Sequence, residues 1–116
     1  MSTPWPDNVF DCALRLAKSL GYKASHIWPL DGRVYVYCPK GSRDWRELDP
    51  RDTTVWSALI GPHDVNIVSS HVDMLTYTAD WFARSRNGTA AKGKTIGLAV
   101  CEAYNSLKGH PRRGNE

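Results

Sequence analysis

Residues 26–38 read HIWPLDGRVYVYC, and this stretch decides the fold class. Asp31-Gly32 lies between two β-rich runs, and Asp-Gly is a strong hairpin signal because both central positions of the turn need a positive φ. The two runs are therefore predicted to pair as antiparallel strands. In the second run, Val34 and Val36 face one way and the two tyrosines that alternate with them face the other. Both sets are apolar, so we expect this strand to be central and covered on both faces.

A second pair of strands is predicted at residues 64–69 and 74–84. In residues 74–84 apolar and polar positions alternate, and a period of two is typical of a half-exposed antiparallel strand. The intervening stretches at residues 40–49 and 85–94 are polar and are predicted to be loops.

Three helices complete the pattern. The first is capped by Asp7 and stops at Gly21, a short one spans about residues 50–60, and the last is capped by Thr95 and ends at Gly109. The element order is then α-β-β-α-β-β-α. This order predicts an α+β fold in which one antiparallel sheet of about four strands is covered by helices. Residues 1–109 form a single domain, and residues 110–116 form a flexible polar tail.

Composition narrows the class of protein. The 116 residues contain 41% hydrophobic residues, enough for one core, but no apolar run approaches the roughly 18 residues of a membrane span. No secretory signal pattern precedes Asp7, so we expect a cytosolic protein with no membrane partner. The cysteines, Cys12, Cys38 and Cys101, are isolated and odd in number, which argues against a disulfide framework or a zinc site. We expect neither a metal nor a cofactor.

Charge is distributed unevenly along the chain. The net charge is +3, yet residues 1–83 hold eight Lys/Arg and ten Asp/Glu, whereas residues 84–113 hold seven Lys/Arg and only Glu102. A locally basic segment favours an anionic partner. The candidate anion-binding or nucleic-acid-binding residues are Arg84, Arg86, Lys92 and Lys94.

Residues 88–95 (GTAAKGKT) fit the phosphate-loop pattern G-x-x-x-x-G-K-[ST] at every fixed position. A phosphate loop follows a buried parallel strand, and a second carboxylate must reach the metal from another strand. Here the preceding strand has the alternation of an antiparallel strand, and only 21 residues follow Thr95. We therefore interpret the match as a decoy, with Thr95 serving as a helix cap, and predict no catalytic residues.

A second candidate surface surrounds Trp45. Trp45 lies between Arg43 and Arg46 in the predicted loop, and Trp and Arg are the residues that most often anchor protein interfaces. Trp45, Arg43 and Arg46 are therefore the candidate partner-binding residues.

The chain resembles a family of small phage and prophage proteins, the phage α-β-α sandwich domain. The resemblance rests on an N-terminal helix that ends in Leu20-Gly21, the Asp49-Pro50 segment before Trp56, and three later stretches. These stretches are Trp81-Phe82-Ala83, Gly93-Lys94-Thr95 and residues 98–103. Ile96 stands where Pro commonly follows the threonine. The resemblance implies a phage origin and a helix-covered sheet, but no reaction.

Together with the resemblance, these features predict a non-catalytic phage-type accessory protein that binds a host macromolecule, a host protein first of all. By analogy, the phage origin that the resemblance implies points to inhibition of a host system such as a defence system. A nucleic-acid-binding module that uses the basic last third is the first alternative. An enzyme with a site of unfamiliar pattern is the second.

Overall fold

The computed structural model describes residues 4–37, 44–76 and 78–110. Within these residues the chain forms three α-helices, six strands and two short 3-10 turns. The helices are α1 (Asp7–Ser19), α2 (Thr53–Trp56) and α3 (Ile96–Leu107), and the 3-10 turns are Ala24–His26 and Ser57–Leu59. The strands are β1 (Ile27–Leu30), β2 (Arg33–Tyr37), β3 (Trp45–Glu47), β4 (Val65–Asp73), β5 (Thr78–Ser85) and β6 (Ala90–Gly93).

The strands form two antiparallel sheets of three strands each. The first sheet has the order β1-β2-β3 and the second the order β4-β5-β6, so each sheet is a meander of consecutive strands. Asp31 and Gly32, with φ of 53° and 73°, make the turn between β1 and β2, which confirms the predicted hairpin. In the second sheet β4 pairs with β5 from Val65 to Asp73, with one irregularity between Val65 and Ile67.

The two long helices, α1 and α3, supply most of the interior of the protein. α1 packs against β1 and β2, α3 packs against all three strands of the second sheet, and the two helices pack against each other. Nine consecutive residues of α3, Gly97 to Asn105, are buried, because sheet, helix α1 and the segment around α2 contact it from different sides. The core is therefore built mainly from these two helices, with Val34, Val36, Val65 and Ala83 contributed by the strands.

The α+β class is confirmed, but the single sheet of about four strands and the order α-β-β-α-β-β-α are wrong. β3 lies in residues predicted to be a loop, as does β6, so the order is α-β-β-β-α-β-β-β-α. β3 adds a third strand to the β1–β2 hairpin, and β6 adds one to the β4–β5 hairpin. β3 and β4 do not pair with each other, so the two sheets are separate. β2 is central as predicted, but only one of its faces is packed on the core.

The predicted helix boundaries are close to the observed ones. Asp7, predicted as the N-cap, is instead the first residue of α1, and Pro6 occupies the cap position. Gly21 adopts a φ of 89° just after the end of the helix. The predicted helix at residues 50–60 is α2 followed by a 3-10 turn, and Thr95 caps α3 as expected, its side chain accepting a hydrogen bond from the Leu98 amide. Of the predicted tail, residues 111–116 lie outside the described residues, whereas the His110 amide donates to the Asn105 carbonyl at 2.7 Å.

Candidate partner-binding surface

Aromatic side chains cover the outer face of the first sheet. Val34 and Val36 of β2 point into the core, so Tyr35 and Tyr37 point outward. The strand register places the two tryptophans beside these tyrosines. Trp28 of β1 lies opposite Tyr35, and Trp45 of β3 lies opposite Tyr37. We call this surface, formed by His26, Trp28, Tyr35, Tyr37 and Trp45, the aromatic face.

The rings of the aromatic face contact one another. The centroids of Trp28 and Trp45 lie 5.6 Å apart in an edge-to-face arrangement, and those of Tyr37 and Trp45 lie 5.5 Å apart. Trp28 also contacts Tyr35 at 6.2 Å, and His26 contacts Tyr37 at 5.4 Å. These separations fall in the 4.5–7 Å range in which aromatic pairs attract. The cluster is thus ordered by its own contacts while Trp28 and Trp45 remain 45% and 42% exposed.

The charges beside the aromatic face are paired. Arg33 of β2 donates from Nη1 to Oε2 of Glu47 at 2.9 Å, and its guanidinium carbon lies 5.8 Å from the Trp5 ring centroid. Glu47 itself lies opposite Tyr35 in the register of β2 and β3. Among the described residues, the charge of Arg33 beside the aromatic face is therefore neutralised by Glu47.

The structure separates the residues predicted around Trp45. Trp45 is part of the aromatic face, but Arg46 follows it in β3 and lies opposite Val36, so its side chain emerges on the other face of the sheet. Arg43 lies outside the described residues. The predicted group is therefore not one continuous surface, since adjacent residues of a strand point in opposite directions.

The four predicted basic residues are also divided. Arg84 and Lys92 are exposed on β5 and β6, where Lys92 lies opposite Phe82 in the strand register. Lys94 is bound instead to Asp80, with 3.0 Å between Nζ and Oδ1. Arg86 lies in the turn after β5, where its Nη1 is 3.1 Å from Nδ1 of His63. Arg84 and Lys92 thus share the outer face of the second sheet with the exposed Phe82 ring.

The phosphate-loop pattern is folded as a turn, a strand and a helix cap. Gly88 adopts a φ of 89° in the turn, Ala90–Gly93 is β6, and Oγ1 of Thr95 accepts from the Leu98 amide at 3.2 Å. A Cβ on Gly93 would lie 2.6 Å from the Ala99 nitrogen, so the glycine allows β6 to pass close beneath α3. The backbone of this segment pairs antiparallel with β5 and does not form the loop of the motif.

The sequence interpretation missed most of the aromatic face. Tyr35 and Tyr37 were expected to be covered because a central strand that is apolar on both faces usually is, and Trp28 was not identified as a candidate. The signal that was available is the pairing itself, since an Asp31-Gly32 turn brings Trp28 opposite Tyr35. No local sequence pattern shows which face of the first sheet the helices cover.

Other classes of site are sparse in residues 4–37, 44–76 and 78–110. No group of three or more His, Cys, Asp or Glu side chains is arranged to hold a metal ion in these residues. Nor do they contain a helix of the length and apolarity needed to cross a bilayer. Comparisons with protein-family models, curated proteins and solved structures found no match for this chain.

Proposed function

We propose that this chain is a non-catalytic, phage-type accessory protein that binds a host protein through the aromatic face. The observation that carries the proposal is the exposure of Trp28 and Trp45 within a cluster of mutually packed rings on one sheet face. The phage origin rests on the resemblance in sequence, and the mode of binding rests on this surface.

The aromatic face has the energetics of an interface hot spot. Tryptophan and tyrosine supply large apolar area and lose few rotamers on binding, and hot spots are enriched in both. Covering about 100 Å² of each exposed tryptophan contributes roughly 2.5 kcal/mol at ~25 cal/mol per Å². Because Trp28 and Trp45 already hold each other in place, little ordering entropy opposes that gain.

Charge favours a protein over a nucleic acid at this face. Single-stranded nucleic acids also stack on aromatic platforms, but the platform is then flanked by cations that follow the phosphates. Arg33, a cation beside this face, is already bound to Glu47. A protein partner with an apolar or aromatic contact patch fits a neutral surface of this kind, and its affinity should depend weakly on salt.

The test is capture of a partner from a nuclease-treated bacterial lysate with four matched baits. These are the unmodified protein, Trp45→Ala, Trp28→Ala, and Phe82→Ala as a control on the other sheet with a similar exposure of 39%. The proposal expects a stoichiometric protein that is retained at high salt, lost with either tryptophan variant and kept with Phe82→Ala. Capture that is unaffected by both tryptophan variants contradicts it. If the captured protein belongs to a defence system, its activity is then assayed with and without the bound chain.

A second candidate function is nucleic-acid binding at the outer face of the second sheet. The observation that favours it is the position of Phe82 between Arg84, two residues along β5, and Lys92, opposite it on β6. The rings of His71 and Phe82 lie 6.3 Å apart between centroids in an edge-to-face arrangement, which helps to hold Phe82 in place. A base stacked on Phe82 would have a cation on each side for its phosphates.

A binding assay with charge-reversal variants distinguishes this candidate from the first, and Trp45→Ala now serves as the control. Binding of a fluorescent single-stranded oligonucleotide should weaken steeply with salt and fall with Arg84→Glu or Lys92→Glu. Trp45→Ala should leave it unchanged. Binding that is insensitive to both charge reversals excludes this face as a nucleic-acid site.

A further inference from the structure

A separate apolar groove lies on the opposite side of the first sheet from the aromatic face. It encloses about 280 Å³ between the end of α1, the inner side of β2 and β3, and the α2 segment. Its apolar lining comes from Leu20, Val36, Leu48, Val55 and Leu59. This volume approaches the roughly 300–1,000 Å³ that is typical of small-molecule sites, which is enough for a small organic ligand.

Three charged residues, Arg46, Glu47 and Asp52, line the groove, but the Glu47 side chain emerges on the aromatic face, since Glu47 lies opposite Tyr35 in the strand register. Glu47 binds Arg33, and Oδ1 of Asp52 accepts hydrogen bonds from the Thr54 amide and hydroxyl. Arg46 has no hydrogen bond or ion pair with any residue that the structure describes. The groove therefore presents one guanidinium without a partner among the described residues beside apolar walls, while the Asp52 carboxylate keeps its charge because its hydrogen-bond donors are neutral.

We propose that this groove binds a small carboxylic acid with an aliphatic or aromatic body, whose carboxylate pairs with Arg46. The apolar body would cover Val55 and Leu59. The planar guanidinium would donate two parallel hydrogen bonds to the two carboxylate oxygens. A neutral ligand would leave the guanidinium without a partner.

The site is independent of the proposed protein interface. Arg46 and Trp45 are neighbours in the chain, but they emerge on opposite faces of β3. A ligand in the groove therefore leaves the aromatic face free, and variants of one surface serve as controls for the other.

The test is a titration of the ¹⁵N-labelled protein with octanoate and, in parallel, with octanamide, its neutral counterpart. We expect octanoate to shift the amide resonances of Val55 and Leu59 with a Kd on the order of 1 mM, and octanamide to bind about tenfold more weakly. Arg46→Gln should weaken octanoate binding about tenfold and leave octanamide binding unchanged, because only the charge-assisted hydrogen bonds are lost. Ala58→Phe, at an exposed position on the groove lining, should block both ligands.

Arg84→Gln is the matched control, an exposed arginine on the second sheet, and it should bind both ligands as the unmodified protein does. Unchanged thermal unfolding of each variant establishes that the fold is intact. Equal affinities for octanoate and octanamide overturn the proposal, as does an Arg46→Gln variant that binds octanoate normally. Absence of saturable shifts up to about 10 mM octanoate overturns it as well.

Discussion

Arg15 of α1 and Glu102 of α3 form a bidentate ion pair in the interior of the protein. Nη2 of Arg15 lies 2.7 Å from Oε2 of Glu102, and Nη1 donates to Oε1, while the two side chains are only 10% and 12% exposed. Nε of Arg15 also donates to Oδ2 of Asp11 at 2.9 Å. Burial alone would lower the pKa of Arg15, but the hydrogen bonds and charges of Glu102 and Asp11 outweigh it and raise that pKa. The pair therefore joins α1 to α3 with Arg15 fully ionised.

Glu102→Gln should lower the free energy of unfolding by about 3 kcal/mol, because it leaves the buried Arg15 charge without its main partner. Asp11→Asn is the matched control. Asp11 is 56% exposed, so removing its charge should cost less than about 1 kcal/mol. Urea unfolding of the two variants measures both values. Equal losses would mean that the buried pair contributes no more than the exposed one.

Gly97 is the residue at which α3 passes closest to the α2 segment. A Cβ at this position would contact the Pro50 carbonyl oxygen and would lie 2.7 Å from Cδ1 of Trp56 and 2.9 Å from the Arg51 Cα. Gly97→Ala should therefore destabilise the protein by about 2 kcal/mol or more, although alanine is the better helix former. Gly61→Ala, where a Cβ meets nothing within 4 Å, should change stability by less than about 0.5 kcal/mol. Thermal unfolding distinguishes the two, and a neutral Gly97→Ala would contradict the close packing.

Asp52 provides a pH-dependent helix cap. The hydrogen bonds from the Thr54 amide, at 2.9 Å, and from its hydroxyl, at 2.8 Å, lower the pKa of Asp52 below its ordinary value. Because the folded pKa is the lower one, the stabilisation is present above the pKa of the unfolded carboxyl. It is lost as pH falls through the folded pKa. We expect an NMR titration of the Asp52 carboxyl to give a midpoint below that of aspartate in an unfolded peptide.

Asp52→Asn is the matched control for this cap, since asparagine keeps an oxygen acceptor but does not titrate. The difference in stability between the unmodified protein and Asp52→Asn should narrow as pH falls toward the folded pKa. A difference that stays constant across the acidic range would show that the cap does not depend on the carboxylate charge.

The sequence predicted the hairpin turn and the helix cap correctly, but it did not predict the two shortest strands. The turn at Asp31-Gly32 and the cap at Thr95 are local signals, and both were confirmed. Strands β3 and β6 have only three and four residues, so neither holds enough alternation to differ from a polar loop. Each exists because a neighbouring hairpin offers it a free edge, which is a tertiary cause that no short window of sequence contains.

The sequence also predicted only part of the candidate binding surface. Trp45 was identified from its residue type alone, yet its neighbours in the aromatic face come from β1 and β2. Arg46 was grouped with Trp45 because the segment was predicted to be a loop, in which neighbouring side chains can point the same way. In a strand, successive side chains point to opposite faces. The exposure of Tyr35 and Tyr37 depends on where α1 packs, and hydrophobic pattern alone does not specify which apolar face a helix covers.

Cys12 and Cys101 should be unreactive in the folded protein. A hydrogen bond with Cys101, burial and the nearby charge of Glu102 raise the pKa of Cys12, and the Cys101 thiol donates to the Pro50 carbonyl at 3.6 Å. Since the thiolate is the nucleophile, both cysteines should react with iodoacetamide at pH 8 only as fast as the protein unfolds, and rapidly in urea. Ala58→Cys adds an exposed thiol as an internal control that should be labelled at once. Peptide mapping by mass spectrometry follows each site, and native labelling of Cys12 at the rate of the Ala58→Cys thiol would mean that the α1–α3 interface opens without global unfolding.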